Sequence, residues 1–188
     1  MKTLITVSGF PGSGKTSLVS SIAKENGWVQ IHYDDFDGMT SRSPEEVLDW
    51  IAAGMPLEEL FIMDFRSQVL KALEIGSVIV ETPLGRLHET EGLPVDLSIW
   101  LECEYDVALA RAFLKEISSS DWLNIEQLQD WAKGYLVSYP GFVAQTLRNQ
   151  ASVVKPLADV VLDTSFQPPS KILSSALLEI DRHISNRV

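Results

Sequence analysis

Residues 9 to 16 read Gly9-Phe10-Pro11-Gly12-Ser13-Gly14-Lys15-Thr16, an unbroken match to the Walker A phosphate-binding pattern. The glycines let backbone N–H groups turn inward around an anion, and the start of the following helix adds partial positive charge. Lys15 then reaches the β- and γ-phosphates of a nucleotide, and the Thr16 hydroxyl ligates Mg²⁺. Gly9, Pro11, Gly12, Ser13, Gly14, Lys15, Thr16 and Ser17 form the expected nucleotide-binding set. A glycine- and serine-rich turn can match such a pattern by chance, but the flanks argue otherwise. Leu4-Ile5-Thr6-Val7 reads as a strand feeding the loop, and Ser17 to Ala23 reads as a helix leaving it.

Three more stretches carry chemistry. His32-Tyr33-Asp34-Asp35-Phe36-Asp37 holds three carboxylates within four positions. A carboxylate there can accept the proton of an attacking hydroxyl and help hold a metal, with Asp34 or Asp35 the natural candidate. The plain alternative is a solvated acidic turn. The apolar run Ser77-Val78-Ile79-Val80 ends in Glu81, where a carboxylate can hold a Mg²⁺-bound water. Pro83 and Gly85 tighten the next turn, which sets Arg86 and His88 to bind an anionic or hydroxylated substrate. In the competing reading Glu81 only ends a strand and Arg86 pairs with a surface acid. Arg111 and Lys115 lie four apart on one helix face, able to close over phosphates, though Asp106 and Glu116 offer ordinary surface pairing.

These residues need a scaffold that brings them together. Strands are expected at 3–8, 28–33, 77–81, 96–101 and 158–162, and helices at about 15–25, 44–53, 57–74, 105–117, 124–149 and 170–186. The middle strands lack clean polar alternation, as strands covered on both faces do. Ser43-Pro44-Glu45-Glu46 carries a capping box with proline at the first helical position. The alternation implies an α/β fold, a mostly parallel sheet with helices on both sides. Ligands of such sheets bind beyond the carboxyl ends of the strands. Trp131, Tyr135 and Tyr139 share one helical face, near Trp122. Packing onto the domain core is the expectation for them, with stacking on a nucleobase the alternative. Tyr139-Pro140-Gly141 is expected to break that helix and hinge a lid that excludes water.

At 188 residues the chain suits one domain. Lys plus Arg number 15 against 26 Asp plus Glu, and the formal charge of −11 repels nucleic acid and anionic membrane surfaces, so neither is an expected partner. No run approaches transmembrane length. The first apolar stretch runs straight into the loop, so its removal as a signal would destroy the site. The single cysteine, Cys103, fits a reducing cytoplasm and a buried structural thiol.

The phosphate loop, Tyr33-Asp34-Asp35-Phe36, Glu81-Thr82-Pro83-Leu84-Gly85-Arg86 and Asp106-Val107-Ala108-Leu109-Ala110-Arg111 together resemble the uridine-kinase-like group of P-loop kinases, which includes phosphoribulokinase, pantothenate kinase and nicotinamide riboside kinase. The likeness continues through Trp131 to Gln150 and Lys155 to Val161. It implies a P-loop NTPase fold over 1–188, a five-stranded parallel sheet in the order 2-3-1-4-5 and a helical lid at about 111–150. It also implies ATP as donor, Mg²⁺, and Asp34 as the base for the acceptor hydroxyl. Arg111 matches a lid arginine, while Ala112 and Lys115-Glu116 stand where the group often carries a second arginine and an Arg-Asp pair. Lysine gives a point charge without the bidentate grip, so neutralisation would be weaker or come from Arg148 or Lys155.

The reading that follows is an ATP-dependent kinase acting on a hydroxyl of a small metabolite, with a nucleoside as one acceptor. Lys15, Asp34 and Arg111 are its catalytic residues, Arg111 and Lys115 cover the phosphates, and Thr16, Asp34 and Glu81 serve the metal. Asp35, Phe36, Arg86 and His88 are assigned to the acceptor pocket. Two alternatives stand beside it. One is a nucleotide-binding switch or accessory protein, although the guanine-reading Asn-Lys-x-Asp motif is absent. The other is a kinase of an antibiotic or a phosphorylated metabolite.

Overall fold

Every residue of the run Leu4–Gly9 is buried in the computed structural model, which describes residues 2–36, 44–118 and 122–185. This run is β1, and it lies at the centre of a five-stranded parallel sheet. Its neighbours are β3 (Val78–Glu81) on one side and β4 (Leu97–Glu102) on the other, with β2 (Val29–His32) and β5 (Val160–Asp163) at the edges. The order β2-β3-β1-β4-β5 is the expected one.

Burial on both faces explains the unbroken apolar runs. Ile5 and Val7 of β1 point into a cluster built with Val19 and Ile22 of α1 (Lys15–Asn26) and Ala176 and Ile180 of α7 (Pro169–Ser185). Leu4 faces the other way, into a cluster with Phe10, Trp100, and Phe65 and Val69 of α3 (Met63–Ile75). Each such fully buried aliphatic side chain contributes ~2 kcal/mol of transfer free energy. Helices α2 (Pro44–Ala52), α4 (Tyr105–Ile117) and α6 (Ala144–Val154) also pack on this second cluster, and α5 (Ile125–Ser138), which buries no residue, completes seven α-helices among the described residues.

The register matters for chemistry. Glu81 pairs across the sheet with Val7 on one side and His32 on the other, so a carboxylate and an imidazole stand in one row, two residues before the loop begins at Gly9.

Three departures from expectation have physical causes. The helix expected over 57–74 is divided: Leu57–Leu60 is a 3₁₀ turn that buries Leu57 and Leu60, residues that eclipse at this spacing. The chain is then extended at Phe61 and Ile62 before α3 starts. Tyr139-Pro140-Gly141 does not break its helix. Tyr139–Val143 forms a π turn joining α5 to α6, and the Ala144 N–H donates to the Tyr139 carbonyl. The missing proline N–H is absorbed by the wider turn. The stretch after β3, expected as a turn alone, continues as a 3₁₀ segment over Gly85–Glu91. Ser43, the expected cap of α2, and Asp37 lie outside the described residues.

Two loop glycines differ in what they tolerate. A Cβ on Gly12 would stand 2.1 Å from the Ala108 carbonyl oxygen of α4, whereas one on Gly14 would meet nothing within 4 Å; both have positive φ, 83° and 94°. Gly14→Ala should therefore carry only a conformational penalty of about 1 kcal/mol, and Gly12→Ala distinctly more because the loop must leave α4. Chemical denaturation of the two variants checks this, and equal losses would contradict it.

Candidate active site

The loop turns back on itself before entering α1: the Ser13 N–H donates to the Phe10 carbonyl at 3.0 Å, and Gly14, in the left-handed region, precedes the first helical residue. Helix geometry then puts Lys15 and Thr16 in the first turn, facing the end of β3. There Glu81, only 8% exposed, gathers three partners. Thr16 Oγ1 donates to Glu81 Oε1 at 3.1 Å, Lys15 Nζ lies 3.8 Å from the same oxygen, and His32 Nδ1 is 2.9 Å from Oε2. Lys15 Nζ also donates to the Phe10 carbonyl at 3.1 Å. Enclosure lowers the Lys15 pKa below the ordinary lysine value; Glu81 and Asp34 oppose the shift, and Lys115 adds to it.

Three connected spaces surround this cluster. The largest, about 760 Å³, is lined by the loop from Pro11 to Ser17 (except Ser13), by Asp34 and Glu81, and by the α4 and α5 side chains Arg111, Phe113, Lys115, Trp131 and Tyr135. A second, about 250 Å³, lies between the loop, Arg111 and the segment from Thr164 to Leu173. A third, about 230 Å³, opens on the far side of Lys15 and Asp34 and runs between Tyr33, Trp50, Leu57, Leu60 and Leu147. Pro11, Lys15, Asp34 and Glu81 line both the first and the third.

Most residues expected at the site come together. Pro11, Gly12, Gly14, Lys15, Thr16, Ser17, Asp34, Glu81, Arg111 and Lys115 line the largest cavity; Ser13 borders the second and Gly9 the third. Arg111 differs in detail. Its guanidinium donates to the Thr164 and Ser165 carbonyls at 2.9 and 2.8 Å, so it ties α4 to the loop after β5 as well as facing the cavity. Cys103 is buried beneath it, 3.6 Å from Nη1, as a structural thiol.

The four residues expected at the acceptor pocket do not line any of these spaces. Asp35 is exposed, and Phe36 turns its ring edge-on to Phe65 in the core. Arg86 is held by Glu89, Asp159 and the Val95 carbonyl, since the 3₁₀ segment carries it towards the start of β4 and away from the carboxyl edge. His88 is fully buried, between Thr82 Oγ1 at 2.7 Å and Glu91, with its ring stacked on Phe65. The polar groups of Arg86 and His88 serve the fold. Lys155 pairs with Glu102, and neither it nor Arg148 faces the large cavity.

Two features escaped sequence reasoning. His32 was not expected at the site, yet it occupies the same register row as Glu81, a signal available from polar residues ending adjacent strands. The aromatic stripe belongs to neither core. Trp131 stacks on Tyr135 at 5.4 Å and on Phe113 of α4 at 5.4 Å, with Trp122 and Tyr139 at the ends of the row, and Phe113, Trp131 and Tyr135 form the cavity wall. Aromatic periodicity alone cannot tell a core face from a cavity wall, because both demand the same spacing.

The donor set suits Mg²⁺. A hydroxyl and a carboxylate meet at Thr16 and Glu81 beside Asp34 in a cavity large enough for a polyphosphate, and oxygen donors of this kind match a hard cation. No cluster of three or more acidic, histidine or cysteine ligands occurs among the described residues.

No protein-family model matches the chain, and no curated protein sequence matches it significantly. Among solved structures, the fold is similar to that of an unliganded sugar kinase from Janibacter sp. HTCC2649, at 21% identity with 96% of this chain and 95% of that chain covered and a TM-score of 0.52. It is also similar to a gluconokinase from Sinorhizobium meliloti 1021, at 22% identity, 98% and 94% coverage and a TM-score of 0.50. The chain has the P-loop fold that these kinases share. Among the described residues no helix is long and apolar enough to cross a membrane.

The Lys15 environment predicts a pH signature. Enclosure favours the neutral amine, whereas a bound polyphosphate favours the ammonium, so ATP affinity should weaken with rising pH, starting below the ordinary lysine range. Without nucleotide the sign reverses: the unfolded chain holds this proton more tightly, so stability rises with pH between the lowered and the ordinary value. Calorimetric titration with ATP from pH 7 upward tests the first statement. Lys15→Met, weakened throughout, should lack the basic limb.

Proposed function

We propose that this protein is an ATP-dependent kinase that transfers the γ-phosphoryl group to a hydroxyl of a small molecule. The observation that carries the reading is the shared wall of two cavities. Lys15, Asp34 and Glu81 stand between a space of about 760 Å³ at the phosphate loop and one of about 230 Å³ behind it, so donor and acceptor can meet at these three side chains. The names of the two structural neighbours, a sugar kinase and a gluconokinase, agree with a small-molecule acceptor.

In this reading the loop amides and Lys15 hold the β- and γ-phosphates and neutralise charge as it shifts towards the leaving group. Asp34 orients the acceptor hydroxyl and takes its proton as the new oxygen–phosphorus bond forms and the bridging β–γ bond breaks, releasing ADP. Thr16 and Glu81, with Asp34, would hold Mg²⁺, which when bound screens the phosphate charges. His32 steadies the Glu81 carboxylate from the opposite side. Lys115 supplies the second lid charge as a point cation, and Arg111 both faces the phosphates and anchors the lid to the loop after β5. Phe113, Trp131 and Tyr135 cover the cavity and keep water from the transferring group.

We read the chain as one domain with a lid at about 111–150, acting in the cytoplasm, where a buried lone thiol stays reduced. The finer likeness to uridine kinases rests on the motifs alone and puts a nucleoside among the acceptors to be tested.

Asp34→Asn should lower kcat by at least about a hundredfold, the range typical of a lost general base, while changing ATP affinity less than threefold. Coupled ADP-release kinetics and calorimetry measure the two quantities. Undiminished turnover would remove Asp34 as the base, and ATP hydrolysis indifferent to every acceptor would favour the nucleotide-switch reading.

A further inference from the structure

The space behind Asp34 has a definite chemical character. Its walls are Tyr33, Trp50, Leu57 and Leu60, each less than a tenth exposed, with Leu147 on the α6 side. The polar tips on these walls turn away from the space or into the protein's own backbone. Trp50 Nε1 donates to the Pro56 carbonyl at 3.0 Å, and the Tyr33 hydroxyl donates to the Leu60 carbonyl. Thr146 Oγ1 donates to the Phe142 carbonyl at 3.1 Å, and Gln150 Nε2 donates to the Pro83 carbonyl at 2.9 Å. What the lining offers a ligand is chiefly apolar surface and the two aromatic rings, with the Asp34 carboxylate as the acceptor at one end.

Charge points the same way. Among the described residues Lys15 is the one cation in the lining, it sits at the phosphate-loop end, and Asp34 and Glu81 outnumber it. A carboxylate or phosphate on the acceptor would meet no second cation among these residues, and burying such a charge unpaired costs several kcal/mol. A polyol could donate to the few acceptors near Asp34, but its other hydroxyls would press on the apolar walls of Trp50, Leu57, Leu60 and Leu147 without partners, at roughly 1–3 kcal/mol each. Size narrows the class further: a dry cavity of about 150 Å³ holds a benzene ring, so about 230 Å³ takes one ring with a short hydroxyl-bearing arm and little more.

We infer that the acceptor is a compact neutral alcohol, a single apolar ring carrying a hydroxymethyl or similar arm that reaches Asp34, in preference to a sugar, a nucleoside or a hydroxy acid. The inference rests on the kinase reading above for the location of the reacting hydroxyl, and on the pocket itself for the class.

The test uses the whole protein with Mg-ATP and four probes: benzyl alcohol, glucose, uridine and gluconate. ADP release with ³¹P detection of the phosphomonoester measures transfer. Saturation-transfer NMR in the presence of a non-hydrolysable ATP analogue measures binding. Benzyl alcohol should be bound and phosphorylated with kcat/KM at least about tenfold above the other three. Leu147→Lys, and Thr146→Lys as a second route to the same charge, should weaken its binding at least about tenfold while ATP affinity stays unchanged. Preference for gluconate, glucose or uridine overturns the inference and leaves the kinase reading intact, as does absence of benzyl alcohol binding. Benzyl alcohol bound in the wild type, weakened by the lysine variants and yet never phosphorylated, supports the pocket's class and refutes the kinase reading.

Discussion

A buried carboxylate that would be costly alone holds this site together. Glu81 ends β3 in a nearly closed environment and is stabilised only because an ammonium, a hydroxyl and an imidazole meet it from two other elements. Lys15 and Thr16 come from the first turn of α1, and His32 from the end of β2. Displacing any one of these elements would strand charge in a poorly solvated place, so the start of α1, β3 and the edge strand β2 are fixed relative to one another. The proposed function requires exchange at this cluster: a bound polyphosphate would draw Lys15 and Thr16 away from Glu81.

Around that anchor the molecule is graded in stability. The sheet is sealed on both faces by two apolar clusters, whereas α5 has no buried residue and is tied to α4 through a row of ring contacts. Elements held by few buried side chains open at lower free energy than a core does. A cover of this type can admit a nucleotide without disturbing the sheet, and the π turn at Tyr139–Val143 lets α5 and α6 run on continuously over the site. The charges it brings are sparse: Arg111 is engaged with two backbone carbonyls, and Lys115 acts from a distance that Lys15 already senses.

The strands and the loop were legible in the sequence because each rests on a local pattern: continuous apolar runs for doubly covered strands, and glycine spacing for the anion cradle; the sheet order followed only from the resemblance of the motifs to a kinase group. Glu81 and Asp34 were legible by their position directly after strands. Arg86 and His88 were not, since the sequence does not reveal that residues after β3 coil into a 3₁₀ segment that carries them back along the sheet to Asp159 and beneath Phe65. The acceptor space escaped for a related reason. Trp50, Leu57, Leu60 and Leu147 are ordinary core residues by type, and only their assembly from α2, a 3₁₀ turn and α6 leaves a gap beside Asp34. The aromatic row was visible as a stripe but its surroundings were not.

The central claim is that Lys15, Thr16 and Glu81 form the seat of the terminal phosphate, with Asp34 facing it across the wall of the acceptor space. A crystal structure of the protein with Mg²⁺ and a non-hydrolysable ATP analogue tests this most directly. The account predicts the γ-phosphate on Lys15 Nζ and the loop amides, the Thr16 hydroxyl turned from Glu81 to the metal, and the Asp34 carboxylate on the same side as the γ-phosphorus. A triphosphate bound elsewhere, or one seated on the loop with the Thr16–Glu81 hydrogen bond intact and Asp34 directed away, would contradict it.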